Sequence, residues 1–146
     1  PQAWVLIGSD STTPVVESTL GSWDTTGLDG LYALLLMLVR TDRSVEQAIV
    51  QVTLDNTPPQ VAISYPAQGQ EIHLGDEPQV LLQAQVDDPF LTGVEFFLDG
   101  NSLGKQETGP FGVVWNASAG SHTLRVVATD RAGNSSEASL TFQVKR

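Results

Sequence analysis

The sequence predicts an all-β chain made of two sandwich modules in tandem, the first lacking its opening strands. Three observations carry this. Short runs enriched in β-branched and aromatic residues are separated by Gly, Pro, Asp and Asn clusters. Several of these runs alternate apolar with polar residues, and no stretch sustains a capped 3.6-residue period. A Pro-Pro pair divides the chain near its first third. The 146 residues hold two modules only tightly, because a full sandwich of this kind needs roughly 100.

In chain order, Trp4-Val-Leu-Ile7 reads as the first strand. The apolar run from Leu31 to Val39 is far short of the ~20 residues that span a bilayer. Gly30 before it, and the β-prone run Val45 to Leu54 beyond the Asp42-Arg43 turn, make it one arm of a hairpin rather than a helix. Asp55-Asn56-Thr57-Pro58-Pro59 is the boundary, since two prolines remove two backbone donors and impose extended geometry. The predicted organisation is therefore an incomplete module over 1–55, a linker over 56–59 and a complete module over 60–146.

The second module begins with Val61 to Ile63 and Val80 to Val86, followed by Gly93 to Leu98 and Gly112 to Trp115. Thr123 to Thr129 and Ser139 to Val144 complete it, so about six or seven strands fit. Leu82, Ala84 and Val86 alternate with glutamines, and Leu140, Phe142 and Val144 with Thr141 and Gln143, which gives each strand one buried and one wet face. Asp99-Gly100 and Asp130 to Asn134 are turns, where Gly and Asn accept the positive φ of tight hairpins.

The two halves repeat. Trp23, Gly30, Tyr32, Leu34, Thr41 and Asp42 align with Trp115, Gly120, His122, Leu124, Thr129 and Asp130 when the first copy carries two extra residues before its turn. In that alignment Trp4 to Ile7 matches the Val94 to Leu98 strand, and nothing in the first half matches residues 60–93. A sheet missing strands exposes an unpaired edge and an apolar face. That edge is expected to meet an upstream domain of a longer parent chain, or a second copy by self-association.

Composition excludes several functions. Seventeen acidic against seven basic residues give a net charge of −10 with no Lys/Arg cluster, which disfavours nucleic acid. The absence of cysteine removes disulfides, thiolate metal sites and thiol catalysis. No targeting signal opens the sequence, and this segment is expected to make no membrane contact. A start at Pro1 reads as a cut from something longer, with any signal or anchor upstream.

Residues 60–146, with Val94-Glu-Phe-Phe-Leu-Asp-Gly100, Pro110-Phe111, Trp115 and the His122 to Asn134 stretch, resemble a bacterial immunoglobulin-like domain widespread in exported proteins. The resemblance implies two immunoglobulin-like β-sandwich modules, fibronectin-like in their general plan. The first module, through Trp4 to Gly8, Leu20 to Tyr32 and Val52 to Pro59, resembles the C-terminal tail of bifunctional penicillin-binding proteins, the peptidoglycan glycosyltransferase-transpeptidases. This implies an extracytoplasmic appendage in the cell envelope, its parent anchored in the inner membrane and its catalytic motifs upstream.

No catalytic residue is assigned within the chain. Ser102-Leu-Gly-Lys105 matches the S-x-x-K string of transpeptidases, but that chemistry needs Ser and Lys one helical turn apart, with S-x-N and K-T-G partners. Here the string follows a turn and contains Gly104, and chance is the better account. His73 and His122 lack metal-ligand spacing and read as ordinary strand residues.

The acidic constellation is Asp55 and Asn56 in the linker, Asp87 and Asp88 after a strand, and Asp130 with Asn134 in a hairpin. In an immunoglobulin-like sandwich these segments lie at one end, and oxygen ligands there suit Ca²⁺. Asp and Asn are also ordinary turn formers, and that plainer account carries more weight. No other cofactor is indicated. Trp23 and Trp115 occupy equivalent repeat positions and read as core pillars before a sugar platform. Asn116-Ala-Ser118 and Asn134-Ser-Ser136 match the glycosylation string and are assigned no role.

The favoured function is a non-catalytic interaction or positioning module of a peptidoglycan-synthesising penicillin-binding protein. Its partners would be the upstream catalytic domains, peptidoglycan or a cell-envelope protein. A surface stalk or adhesin spacer, Ca-stiffened or not, and a carbohydrate-binding module are the alternatives.

Overall fold

The computed structural model describes residues 3–9, 11–75 and 78–146, and these form ten strands without a helix. The chain divides into two compact units, Pro1–Asp55 and Asn56–Arg146.

The first unit contains one hairpin, β1 (Gly30–Val39) and β2 (Val45–Leu54), paired antiparallel from Gly30↔Leu54 to Val39↔Val45. Its turn is built locally. Asp42 Oδ1 accepts the Ser44 backbone N–H at 2.8 Å and the Ser44 hydroxyl at 2.6 Å, while Arg40 and Glu46 pair across the strands at 2.7 Å. The run Trp4 to Ile7, expected to be a strand, has no ladder partner among the described residues and is exposed. Apolar content alone does not make a strand, which needs a neighbour to take its backbone groups.

The second unit is a sandwich. One sheet holds five strands in the order β4 (Glu71–His73), β10 (Ser135–Lys145), β9 (Gly120–Asp130), β6 (Leu91–Leu98) and β7 (Asn101–Gln106). The other holds β3 (Gln60–Tyr65), β5 (Gln79–Asp87) and β8 (Phe111–Asn116). All pairings are antiparallel except β4 with β10.

The unit has eight strands among its described residues, more than the sequence suggests. The additional ones are short or weakly apolar. β4 carries only Ile72 inward, and β7 contains Gly104 and a single apolar side chain, Leu103.

The period-2 alternation builds the core. Val80, Leu82 and Ala84 of β5 face Val94, Phe96 and Leu98 of β6, Leu124, Val126 and Ala128 of β9, and Phe142 and Val144 of β10. Leu82, Val94, Phe96, Leu124, Val126 and Ala128 are fully removed from water. Asp99 and Gly100 both have positive φ, 50° and 84°, the mirror-image turn that matches the twist of β6 and β7.

The units differ sharply in what they cover. Of 18 exposed large apolar side chains among the described residues, only Leu81, Phe90 and Val114 lie in the second unit. β1 alone exposes Leu31, Leu36, Met37, Leu38 and Val39, which occupy both faces of a two-stranded ribbon.

Candidate functional site

Three segments of the second unit meet at one end. β3 starts opposite the end of β5, with Gln60 across from Asp87, and the Ser136 hydroxyl donates to the Pro59 carbonyl. Asp88 opens the β5–β6 loop, and its Oδ1 accepts the Phe90 backbone N–H at 2.7 Å. The Phe90 carbonyl in turn accepts the Arg131 N–H at 3.0 Å, tying that loop to the β9–β10 turn. The Thr92 hydroxyl reinforces the tie by donating to the Thr129 carbonyl at 2.8 Å.

Asp130 organises the turn. Its Oδ1 accepts the Asn134 N–H at 2.9 Å and its Oδ2 the Asn134 side-chain amide at 2.8 Å, while only 3% of the residue is exposed. Burial pushes this carboxyl up, but donation from the Asn134 side chain and from the backbone N–H groups of Asn134, Gly133 and Ala132 overcomes it. The net effect holds Asp130 below the ordinary carboxylate range.

Of the six candidate calcium ligands, Asp88 and Asp130 bring carboxylate oxygens within 4.8 Å of one another. Asn134 is bound to Asp130, Asp87 is exposed at the end of β5, and Asn56 is exposed at the start of the unit. Asp55 is the last residue of the first unit and is half-buried.

Strand β7 bulges between Ser102 and Gly104, so Ser102 sits opposite Phe97 and Lys105 opposite Glu95, and both side chains lie on the exposed face of the sheet. The Ser102 hydroxyl donates to Glu95 Oε1 at 2.6 Å, and Gly104 sits at φ 125°. The partner of that hydroxyl is the Glu95 carboxylate rather than Lys105, and the string lies on a strand rather than on one turn of a helix, so it does not reproduce the S-x-x-K arrangement.

The tryptophans behave alike in each unit. Trp23 meets Tyr32 edge-on at 5.2 Å and 71°, and Trp115 meets His122 edge-on at 4.7 Å and 70°. The aligned pairs thus share one geometry, and both tryptophans are half-buried. Among the described aromatics only Trp4 and Phe90 are exposed.

His73 is an exposed strand residue on β4. His122 is more than that. It is buried, with Nδ1 2.7 Å from Asp99 Oδ2 and Nε2 3.0 Å from the Ser118 carbonyl. Sequence reasoning passed over this contact, although the Asp99-Gly100 turn was legible and marks where the carboxylate sits.

Two facing sheets in this strand order define an immunoglobulin-like β-sandwich. Residues 59–126 match the bacterial Ig domain family. No curated protein sequence matches the chain. Among solved structures it is similar to the fibronectin(III)-like modules of Clostridium thermocellum CbhA, at 22% identity and TM-score 0.54, over 80% of this chain and 63% of that one. A modular endo-β-1,4-mannanase from Cellulomonas fimi is similar at 15% identity and TM-score 0.46, over 66% of this chain and 20% of that one. The chain therefore spans less than two thirds of either, and the likeness to the fibronectin(III)-like modules is one of fold.

Proposed function

We propose that the chain is an extracytoplasmic positioning module of a larger envelope protein, a penicillin-binding protein of peptidoglycan synthesis, and that its first unit docks on the catalytic domains of the parent. The observation that carries this reading is the uncovered apolar hairpin. β1 has no charged residue, shows apolar side chains on both faces and, among the described residues, pairs on one edge only. A strand of that composition belongs inside a larger sheet. The parent's identity rests on the resemblance of Trp4 to Gly8, Leu20 to Tyr32 and Val52 to Pro59 to the tail of those enzymes.

The test compares hydrogen exchange of β1 and β2 in this chain with that in the parent protein, whose active serine is assayed with a fluorescent penicillin. Protection of the hairpin gained only in a penicillin-labelled parent supports the reading. A parent that takes up no penicillin refutes it.

A second reading, a surface spacer, draws on the compact second unit, whose concavities beside Leu74 and Pro78 and beside Gln83 and Phe111 are open depressions. A Ca²⁺ held by Asp88 and Asp130 would stiffen the end of the second unit at which its chain begins. Calcium titration followed by calorimetry tests this, and an unchanged Tm with excess Ca²⁺ rules out the stiffening. Carbohydrate binding as the main role has less support, because Trp4 and Phe90 lie in different units and make no shared platform in either.

A further inference from the structure

The end of the second unit opposite the linker holds a buried polar contact that its packing does not require. β6 runs from the Asp130 end to Asp99, and β10 leaves at the same far end, with Val144 opposite Gly120. There the His122 ring is enclosed by Trp115 of β8 and Phe142 of β10, at 4.7 and 5.7 Å between ring centres. The Ser118 carbonyl of the β8–β9 loop and the Asp99 carboxylate of the β6–β7 turn complete its surroundings. Asp99 is the charged group in contact with the ring among these.

Both ring nitrogens face acceptors. A carbonyl oxygen cannot donate, so the 3.0 Å contact from Nε2 to Ser118 requires a proton on Nε2. An ionised carboxylate cannot donate either, so the 2.7 Å contact from Nδ1 to Asp99 Oδ2 requires a second proton on Nδ1. Asp99 is set up to be ionised. Burial pushes its carboxyl up, but the His122 side chain and the Thr123 N–H, donating to Oδ1 at 2.8 Å, together hold it below the ordinary carboxylate range. A neutral imidazole in the same place would turn a lone pair toward one of the two oxygens.

We propose that His122 is a buried imidazolium that clamps the β6–β7 turn to the β8–β9 loop, making that end of the second unit a proton-dependent switch. The clamp is complete only while the ring is charged and Asp99 is ionised. Raising the pH removes a ring proton and leaves a lone pair against an acceptor, which loosens the loop. Lowering the pH past the depressed Asp99 carboxyl neutralises the other partner. The aligned position of the first unit is Tyr32, edge-on to Trp23 in the same way but without ring nitrogens, so the switch is confined to the second unit.

The test is long-range ¹H–¹⁵N spectroscopy of the ring nitrogens of the whole chain at pH 7, with His73 as the solvent-exposed reference. Two protonated nitrogen signals from His122 are expected. An unprotonated ring nitrogen at that pH overturns the proposal. Urea midpoints of the native chain and of His122→Gln between pH 5 and 9 give an independent readout. The native chain loses midpoint on the alkaline side, and the variant, which has no ring proton to lose, has no such arm. Equal alkaline slopes in the two proteins would also overturn it, and if His122→Gln does not fold, the ring signals of the native chain decide.

Discussion

Replacing Phe96 by Ala removes the side chain on which the second unit's core converges. Phe96 is fully buried at the centre of β6, opposite Val126 on β9 and Gly104 on β7. Truncating a buried Phe costs about 3–5 kcal/mol in transfer energy and residual cavity. A domain of this size has on the order of 5–15 kcal/mol in total, so the variant loses a large share of its stability. With a urea m-value of about 1–3 kcal/mol/M, the midpoint falls by more than about 1 M, which equilibrium denaturation followed by Trp115 fluorescence would resolve. Leu36→Ala is the matched control, because Leu36 in the first unit is 52% exposed, and its cost should stay within about 0.5 kcal/mol. A Phe96→Ala cost below about 1 kcal/mol, or one equal to that of Leu36→Ala, would refute the assignment of the core.

Asp130→Ala strands the donors of Asn134, at a cost of about 1–3 kcal/mol at neutral pH. Because the folded Asp130 carboxyl is held below its ordinary value, its contribution is present above the unfolded carboxylate range and is lost as pH falls through the folded one. Acid denaturation of Asp130→Ala should therefore be less steep than that of the native chain, and identical acid limbs would contradict the linkage. Gly100→Ala places a Cβ at φ 84° and should cost about 1 kcal/mol with no change in m-value, read from the same urea curves. A fluorescent penicillin should leave Ser102 unmodified, since its hydroxyl donates to Glu95 on an exposed strand and has no helical S-x-x-K setting, and mass spectrometry showing an acylated Ser102 would overturn that reading.

The sandwich of the second unit was legible because its strands alternate strictly. The glutamines at 83 and 85 and the polar residues at 141 and 143 mark the wet faces, and the residues between them are the ones that pack. β4 and β7 were not legible, since three residues with one inward Ile72, or a strand interrupted by Gly104, carry too little period to detect. Trp4 to Ile7 misled because apolar pattern reports a tendency to be covered, whereas strand formation depends on a partner edge. The proximity of Asp88 to Asp130 follows from the loop positions of the sandwich, which sequence separation hides. The His122–Asp99 contact needs the register of β6 against β9 to be known, and no local signal supplies that.

The central claim is that the second unit is a two-sheet sandwich with a closed core, whereas the strands of the first, among its described residues, form a two-stranded hairpin. Residue-resolved hydrogen exchange of the monomeric chain tests it most directly, since an isolated two-stranded ribbon opens readily while core strands open only with global unfolding. The account predicts slow exchange at Leu82, Phe96, Val126 and Phe142 and fast exchange throughout β1 and β2. Protection of β1 and β2 equal to that of β9 and β10 in the monomer would contradict it.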